Sequence, residues 1–172
     1  MSSTGLACCL GKPRSVAFQD YNKEVLVYHT YVNCVQNAQL LAQGTALDFI
    51  AADWNDLRDG KYFTSFALTP EQRLANTSAY AVTPGGYDFI FGADVLYEVE
   101  NYATLLDLFD KLLSPTGCAV IVTKLYYYGN GGSLYEFQDA VDKGGRFGHA
   151  TLKTINDNSS NRREVLLLRR LA

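Results

Sequence analysis

A near-continuous apolar run at Tyr87–Ala93, in the segment YDFIFGADVLY, places the strongest constraint on the fold. The run stops at Asp94, and a second tyrosine follows three residues later at Tyr97. A run of this kind predicts a strand that is buried on both faces, as in a parallel sheet covered by helices. Ligands of such sheets bind beyond the carboxyl ends of the strands. We therefore expect Asp94 and Tyr97 to lie at the mouth of a cleft.

Further strand candidates alternate with segments of helical periodicity. The strand candidates are Ser15–Gln19, Leu47–Ala52, Cys118–Lys124, Thr151–Ile155 and Glu164–Leu168. The clearest helix is Asn101–Leu113, whose leucines and phenylalanine recur on one face. A capping box at Ser133-Leu134-Tyr135-Glu136 predicts a second helix that runs to about Lys143.

This order of elements predicts the fold class. Strands that alternate with helices indicate an α/β fold with a doubly wound, mainly parallel sheet that carries helices on both faces. Only the polar turn 156–161 separates the last two strands, and such a short connection requires an antiparallel C-terminal hairpin. At 172 residues the chain is most simply a single domain, residues 1–172. The segment at about 58–86 is long for a connection and is interpreted as an insertion or a tolerated long loop.

The charge balance argues against nucleic acid as a direct partner. Hydrophobic residues make up 48% of the chain and charged residues 19%, which is an ordinary globular balance. The net charge of −3 lacks the basic footprint of a nucleic-acid-binding protein. Four arginines flank the last predicted strand and are interpreted as its solvated ends: Arg162, Arg163, Arg169 and Arg170.

The cysteines and the apolar stretches of the chain indicate the cellular compartment in which we expect it. The four cysteines form no C-x-x-C pair and only two histidines are present, so we expect no metal site. This usage fits a reducing compartment. We also expect no signal peptide and no membrane contact, because no basic segment precedes an apolar one at the N-terminus and no apolar stretch reaches the ~20 residues that span a bilayer. The expected location is the cytoplasm or the nucleus.

Two of the predicted strands end in residues that suit a nucleoside ligand. Asp20 follows the first strand, 15 residues after Gly5, and its carboxylate can accept hydrogen bonds from ribose hydroxyls. Asp53 follows the second strand, where it can bond an adenine amino group while Trp54 stacks on the base. The alternatives are a helix N-cap by Asp20 or Asn22, and core packing of the tryptophan.

The segment after the central strand offers acceptor chemistry. Asp94 can orient or deprotonate an incoming nucleophile, and Tyr97 can form a wall of the site. The alternatives are that Asp94 caps the next turn and that Tyr97 packs in the core. A Ser/His/Asp mechanism has little support, because no G-x-S-x-G is present, His29 falls within an apolar helix and His149 has no obvious partner.

A glycine-rich segment, Gly129–Gly132, precedes the second predicted helix. Its amides could cradle an anion at the helix N-terminus, although no Lys-Ser/Thr follows and a turn is the simpler interpretation. The three tyrosines before it, Tyr126–Tyr128, could bind a substrate peptide or form an aromatic cluster at a wet edge.

Taken together, these segments resemble the class I (seven-β-strand) S-adenosylmethionine-dependent methyltransferases, and more narrowly the protein methyltransferases with a D/E-x-x-Y motif after the fourth strand. Here that motif is Asp94-Val95-Leu96-Tyr97. More narrowly still, the chain is similar to the eukaryotic histidine protein methyltransferases. The segments that carry this resemblance are FQDYNKEVL, Asp53-Trp54, YDFIFGADVLYEVENY, LLSPTG and TKLYYYGNGGSLYEFQ.

The resemblance implies a cofactor, S-adenosyl-L-methionine, and roles for particular residues. Gly5 would be the last glycine of the loop under the methionine moiety, Asp20 would bind the ribose, and Asp53 with Trp54 would border the adenine. Ala93 would lie against the cofactor, while Asp94 and Tyr97 would face the acceptor. The family's first strand and its G-x-G-x-G loop would precede Leu6, so we expect an N-terminally truncated domain with the first strand missing.

The resemblance also implies a substrate. We expect a protein-histidine N-methyltransferase that acts, as a monomer, on a large-subunit ribosomal protein. A protein-lysine methyltransferase is one alternative, because the D-x-x-Y motif fits both classes. The other alternative is a non-catalytic truncated methyltransferase-like protein that acts through protein contacts. A nucleotide-binding oxidoreductase is a weaker interpretation, because it leaves the D-x-x-Y motif and the terminal hairpin unexplained.

Overall fold

The computed structural model describes residues 11–40, 45–61, 84–156 and 162–171. Residue contacts divide the chain into two compact units, Met1–Ala81 and Val82–Ala172. Most of the predicted insertion, residues 62–83, lies outside the described residues. The domain organisation stays a prediction.

The first unit contains two parallel strands. Strand β1 spans Ser15–Asp20 and β2 spans Ala46–Ala51, and they pair in register from Ser15 opposite Ala46 to Asp20 opposite Ala51. Both predicted strands are therefore confirmed to within one residue. Because the strands are parallel, their carboxyl ends reach the same edge of the sheet.

A helix connects these strands and closes a small core over them. Helix α1 consists of Lys23–Val25, a π-helical stretch at Leu26–Tyr31, and Val32–Gln36. Its buried side chains pack with those of the strands in one cluster, formed by Phe18, Leu26, Tyr31, Cys34, Leu47 and Phe49. The Phe18 and Phe49 rings stack with centroids 5.4 Å apart, a contact worth about 0.5–1.5 kcal/mol beyond the buried area. After β2, the short helix α2 spans Trp54–Asp59.

The second unit contains a four-stranded sheet in the order β3-β4-β6-β5. The strands are β3 at Tyr87–Ala93, β4 at Leu113–Lys124, β5 at Phe147–Ile155 and β6 at Arg163–Arg170. Strands β3 and β4 are parallel, and β6 lies between β4 and β5, antiparallel to both. The predicted antiparallel hairpin of the last two strands is confirmed.

Strand β4 begins five residues earlier than predicted. Leu113 already pairs with Tyr87, and the register then shifts before Phe89 meets Cys118. The Ser114 hydroxyl donates to the Asp88 carboxylate at 3.2 Å within this irregular stretch. The preceding helix ends at Leu112, so the strand follows it without an intervening loop.

Two helices pack in the second unit. After a 3₁₀ turn at Val99–Asn101, α3 spans Tyr102–Leu112, and α4 spans Leu134–Gly144, so both predicted helices are confirmed. The apolar face of α3 is buried through Leu105, Leu106, Leu108, Phe109 and Leu112. Full burial of each such side chain stabilises the fold by about 1.5–3 kcal/mol. The two cysteines within the described ranges are buried as well: Cys34 and Cys118.

The prediction that β3 is buried on both faces is wrong. Phe89 is 61% exposed and Phe91 is 46% exposed, and their rings stack on each other with centroids 6.1 Å apart. Alternation places both phenylalanines on the same face of β3, and the exposure of their side chains means that this face is left largely open in the described part of the chain. The apolar run correctly predicts the strand but not what covers it.

No helix in the described part of the chain is both long and apolar enough to cross a bilayer.

Candidate functional site

In the first unit, Asp20 lies at the edge where β1 and β2 end. Its Oδ1 accepts a hydrogen bond from the backbone N–H of Asn22 at 2.9 Å, and its carbonyl accepts from Ala52 N–H at 3.2 Å. Asn22 stands at the N-cap of α1 but makes no side-chain cap bond. The N-cap position predicted for Asn22 is thus confirmed without a capping side-chain bond, and the Asp20 carboxylate closes a local turn ahead of the helix.

A short hydrogen-bond chain fixes Trp54 at the same edge. The indole Nε1–H donates to Gln19 Oε1 at 3.3 Å, and Gln19 Nε2 donates to the Ala52 carbonyl at 2.8 Å. Trp54 is half-buried, so its ring is not enclosed by the core. Gln19 was not among the predicted site residues, because its role depends on a contact with a residue 35 positions away.

Asp53 has a structural task of its own. Its Oδ1 accepts from Asp56 N–H at 2.9 Å, which makes it the N-cap of α2. Such a cap is worth about 1 kcal/mol. The helix ends at Gly60, whose φ of +76° provides the left-handed closing residue. Asp53 therefore anchors the segment that carries Trp54.

In the second unit, Asp94 follows β3 directly and has a left-handed backbone, with φ at +53°. Its N–H donates to the Val122 carbonyl at 2.9 Å, which extends the pairing of β3 with β4 by one residue beyond Ala93. Left-handed residues other than glycine are uncommon and enriched in Asn and Asp, and they cluster at functional sites, because the surrounding structure must impose the conformation. The chain thus turns sharply at the carboxylate.

The carboxylate of Asp94 receives a hydrogen bond from Tyr127. Tyr127 Oη donates to Asp94 Oδ1 at 2.8 Å, lies 3.0 Å from Thr123 Oγ1, and accepts from Lys124 N–H at 3.3 Å. The Lys124 ammonium lies 5.4 Å from the centre of the Tyr127 ring. Burial, together with Asp94, raises the pKa of the Tyr127 phenol to about 12.

The rest of the D-x-x-Y motif is held by backbone contacts with the glycine-rich loop and α3. Tyr97 is half-buried, and its carbonyl accepts from Gly132 N–H at 3.2 Å. Leu96 is fully buried, and its carbonyl accepts from Tyr102 Oη at 3.1 Å. The same hydroxyl accepts from Ser133 N–H at 2.8 Å, so Tyr102 joins the motif to the start of α4.

The predicted capping box is confirmed with a change of partners. Ser133 Oγ accepts from Glu136 N–H at 3.2 Å and donates to Glu136 Oε2 at 2.9 Å. The backbone N–H of Ser133, which the glutamate of a capping box usually binds, goes instead to Tyr102 Oη. Burial raises the pKa of the Tyr102 phenol, which therefore stays protonated.

The glycine-rich segment is a turn and not an anion cradle. The amides of Asn130 and Gly131 both donate to the Tyr127 carbonyl at 3.2 Å, and Gly132 N–H is used by Tyr97. Gly132 has no room for a side chain, since a Cβ there would lie 2.2 Å from the Leu96 carbonyl oxygen. The anion-binding alternative is wrong because these donors already have protein acceptors.

Three exposed tyrosines form an aromatic patch next to this loop. The Tyr126 ring lies 6.4 Å from that of Tyr128 and 5.7 Å from that of Tyr135, centroid to centroid. Tyr128 is 87% exposed. Tyr127, between Tyr126 and Tyr128 in the sequence, is half-buried and bonds Asp94 instead. The three consecutive tyrosines therefore have two different roles.

Two of the remaining polar candidates make structural contacts. His149 Nε2 lies 3.4 Å from Asp142 Oδ1, so the expectation that His149 has no partner is wrong. Arg170 bonds Asp110 and the Leu113 carbonyl and lies over the Phe147 ring, so it is not a solvated strand end. His29 is exposed on α1. No group of three or more metal-binding side chains occurs in the described residues.

The predicted site residues therefore fall into two sets. Asp20, Asp53 and Trp54 share the strand edge of the first unit. Ala93, Asp94 and Tyr97 lie at the end of β3 in the second unit, and Ala93 pairs with Val122 of β4. Gly5 lies outside the described residues.

Comparison with known proteins bears on what these two sets do. The histidine protein methyltransferase 1 homolog of Dictyostelium discoideum is 28% identical over 158 residues, covering 92% of this chain and 43% of that protein. The homolog of Mus musculus is 29% identical over 161 residues, covering 89% and 43%. The chain resembles the histidine protein methyltransferases. It spans less than half the length of these curated relatives, and no protein-family model matches it.

Solved structures confirm the fold class. The PH0226 protein from Pyrococcus horikoshii OT3 superposes with a TM-score of 0.51 at 10% identity, covering 91% of this chain and 72% of that chain. The CurJ carbon methyltransferase superposes with a TM-score of 0.51 at 14% identity, covering 90% and 41%. The chain therefore has the mixed α/β, Rossmann-like methyltransferase fold.

Proposed function

We propose that this chain is an S-adenosylmethionine-dependent protein methyltransferase whose acceptor is a histidine side chain. The observation that carries the proposal is Asp94, a hydrogen-bonded carboxylate held in a left-handed turn directly after β3, at the head of the D-x-x-Y motif. Similarity to relatives named as histidine protein methyltransferases supports it.

The first unit would hold the nucleoside part of the cofactor. Asn22 N–H engages Asp20 Oδ1, while within the described residues no hydrogen bond is made to Oδ2, so an acceptor is available for ribose hydroxyls. Trp54, fixed by Gln19, would border the adenine. Asp53 would place Trp54 by capping its helix. The available acceptor oxygen of Asp20 and the ring of Trp54 therefore fit the ribose and the adenine of the cofactor.

The cofactor would supply a methyl group activated on a sulfonium sulfur. Gly5 would lie under its methionine moiety and Ala93 against its body, as the family resemblance implies. Catalysis of such an in-line displacement can come largely from positioning, because the methyl group needs no further activation.

Asp94 would act on the acceptor imidazole. A neutral imidazole has one N–H and one nitrogen lone pair, and a carboxylate that accepts the N–H leaves the lone pair on the other nitrogen for the attack. The ring becomes cationic as the new N–C bond forms, and Asp94 would stabilise that charge and accept the proton. Tyr97 would form the wall beside it.

The exposed tyrosine patch would contact the peptide around the acceptor. Tyr126, Tyr128 and Tyr135 present a contiguous aromatic surface, and the loop that carries the first two is hydrogen-bonded to the D-x-x-Y segment. Exposed aromatic patches of this kind commonly mark interaction sites. We propose a large-subunit ribosomal protein as the substrate, with the chain acting as a monomer in the cytoplasm or the nucleus.

Methyl transfer to matched peptides tests the proposal. The chain is incubated with S-adenosylmethionine and either of two peptides that differ only in having histidine or lysine at the acceptor position, and products are read by mass spectrometry. Addition of one methyl group to the histidine peptide alone is the expected result. Methylation of the lysine peptide alone would show that the acceptor is lysine and not histidine. Cofactor binding without methyl transfer to either peptide would favour a non-catalytic role.

A further inference from the structure

Tyr127 has a hydrogen-bonding arrangement that fixes the direction of its proton. Its oxygen accepts from Lys124 N–H at 3.3 Å and its single proton goes to Asp94 Oδ1 at 2.8 Å. Because a carboxylate only accepts, the tyrosine proton is the one that serves the contact with Asp94. Thr123 donates its own proton to the Lys124 carbonyl at 3.1 Å, and its Oγ1 lies 3.0 Å from Tyr127 Oη. Each donor in this group has an acceptor, so Asp94 receives an oriented hydrogen bond.

The same residue connects Asp94 to the loop beside Tyr97. Tyr127 N–H donates to the Gly132 carbonyl at 2.9 Å, and Gly132 N–H donates to the Tyr97 carbonyl at 3.2 Å. One end of Tyr127 thus holds the carboxylate of the D-x-x-Y motif, and its backbone is tied to the tyrosine end of that motif. A left-handed Asp94 needs such support, because its own backbone does not favour the conformation.

We propose that Tyr127 is a positioning residue for methyl transfer: its hydroxyl orients the Asp94 carboxylate toward the acceptor, and it acts only through that carboxylate. This inference rests on the proposed function. A phenol whose proton is held by burial and by a neighbouring carboxylate remains a hydrogen-bond donor throughout the neutral pH range, which suits a fixed orienting contact.

Kinetic constants of Tyr127→Phe test the proposal in the 172-residue chain. We expect kcat for histidine-peptide methylation to fall about tenfold, because a hydrogen bond to a charged group is lost, with the affinity for S-adenosylhomocysteine unchanged. The matched control is Tyr28→Phe, which removes the hydroxyl of a tyrosine that is 69% exposed on α1 and should leave kcat unchanged. An unchanged kcat in Tyr127→Phe would overturn the proposal.

A double-mutant cycle separates positioning from a general structural effect. In an Asp94→Ala background, Tyr127→Phe should cause no further loss of kcat, because the group through which it acts is gone. Losses that multiply would overturn the proposal. Should Asp94→Ala fail to unfold cooperatively on heating, Asp94→Gly takes its place in the cycle, since glycine also lacks the acceptor and tolerates the left-handed backbone at this position.

A spectroscopic measurement distinguishes failure of this inference from failure of the proposed function. In chain labelled with ¹³C at tyrosine Cζ, the Tyr127 resonance is the one that Tyr127→Phe removes. It should shift in Asp94→Ala and stay in place in Asp59→Ala, whose exposed carboxylate belongs to α2. If the Tyr127 resonance shifts in Asp94→Ala but the wild type transfers no methyl group, the Tyr127–Asp94 hydrogen bond is retained and the proposed reaction is rejected. If the resonance does not move in Asp94→Ala, the positioning role of Tyr127 is overturned.

Discussion

At the scale of single residues, Asp20 allows cofactor binding to be separated from folding. Asp20→Ala removes the proposed ribose acceptor together with one exposed hydrogen bond to Asn22 N–H. We expect the affinity for S-adenosylhomocysteine to fall about tenfold or more in calorimetric titration, with the thermal unfolding midpoint nearly unchanged. Asp59→Ala removes another carboxylate of the same unit and should keep full affinity. Unchanged affinity in Asp20→Ala would remove this residue from the site.

Asp94 is predicted to act on the other reactant. Asp94→Ala should lower kcat for histidine-peptide methylation by about a hundredfold or more, since general base and orienting groups typically contribute that much. Affinity for S-adenosylhomocysteine should change little, because the proposed contact is with the acceptor. Steady-state kinetics and calorimetry on the same preparation provide the comparison. Equal losses in transfer and in cofactor affinity would contradict the acceptor-side role.

Single residues also show where sequence reasoning succeeds. Ser133 and Glu136 form a pattern that is local in sequence, and the structure confirms the helix start that it predicts. Gln19 and Tyr127 were not predicted in their present roles, because their partners lie 35 and 33 residues away. Long-range partners of this kind depend on how the elements pack, which no local spacing encodes.

At the scale of elements, the glycine-rich loop is predicted to be rigid at Gly132. A Cβ there would lie 2.2 Å from the Leu96 carbonyl oxygen and 2.6 Å from the Tyr97 carbonyl carbon, both of them backbone atoms. Gly132→Ala should therefore destabilise the fold by about 1–3 kcal/mol in urea unfolding, the usual cost of overpacking.

Gly144 provides the matched control for that measurement. It is the last residue of α4, and a methyl group added there would have nothing within 4 Å, so Gly144→Ala should be neutral or slightly stabilising. Equal stability of the two variants would show that the loop moves away from Leu96 and Tyr97 without cost.

The contact of α3 with β6 is predicted to weaken in acid. Arg170 bonds the Asp110 carboxylate and, with Arg146, holds the pKa of Asp110 below its usual value. A carboxyl whose pKa is lowered in the folded state stabilises the fold above its unfolded-state pKa and loses that contribution as the pH falls through the lowered value. The stabilising effect of Asp110 is therefore present at neutral pH.

Urea unfolding of the wild type and of Asp110→Asn checks this dependence. The wild type should be the more stable at about pH 7, and the difference should shrink as the pH falls below about 4. Asp139→Asn, on the exposed face of α4, should show no such trend. A difference that stays constant with pH would mean that the ion pair does not contribute.

Helices and strands are located well from apolar periodicity that is local in sequence. Their burial and their order in the sheet are predicted less well, because these depend on neighbouring elements. The two helices of the second unit and all six strands of the described ranges are located from apolar spacing and caps, with boundary errors of up to five residues. The burial of β3 is predicted wrongly, because an apolar strand has the same sequence pattern whether or not other elements cover its faces, and the face with Phe89 and Phe91 is exposed. The antiparallel placement of β5 and β6 followed from their short connection, whereas the insertion of β6 beside β4 did not.

At the scale of the whole molecule, we propose that the two sets of residues act on the two reactants of one reaction. Asp20 and Trp54 would bind the cofactor, and Asp94 with Tyr97 would face the acceptor histidine. The methyltransferase fold was predicted because family motifs recur along most of the chain, and the comparisons confirm that resemblance. The substrate is harder to infer from sequence, because peptide recognition depends on surfaces such as the tyrosine patch that no motif defines.

Calorimetric titration of the 172-residue chain with S-adenosylhomocysteine tests the central claim most directly. We predict saturable one-to-one binding with a dissociation constant on the order of micromolar. Cooperative thermal unfolding of the same sample establishes that the chain is folded. A folded chain that binds no S-adenosylhomocysteine would contradict the proposed methyltransferase function.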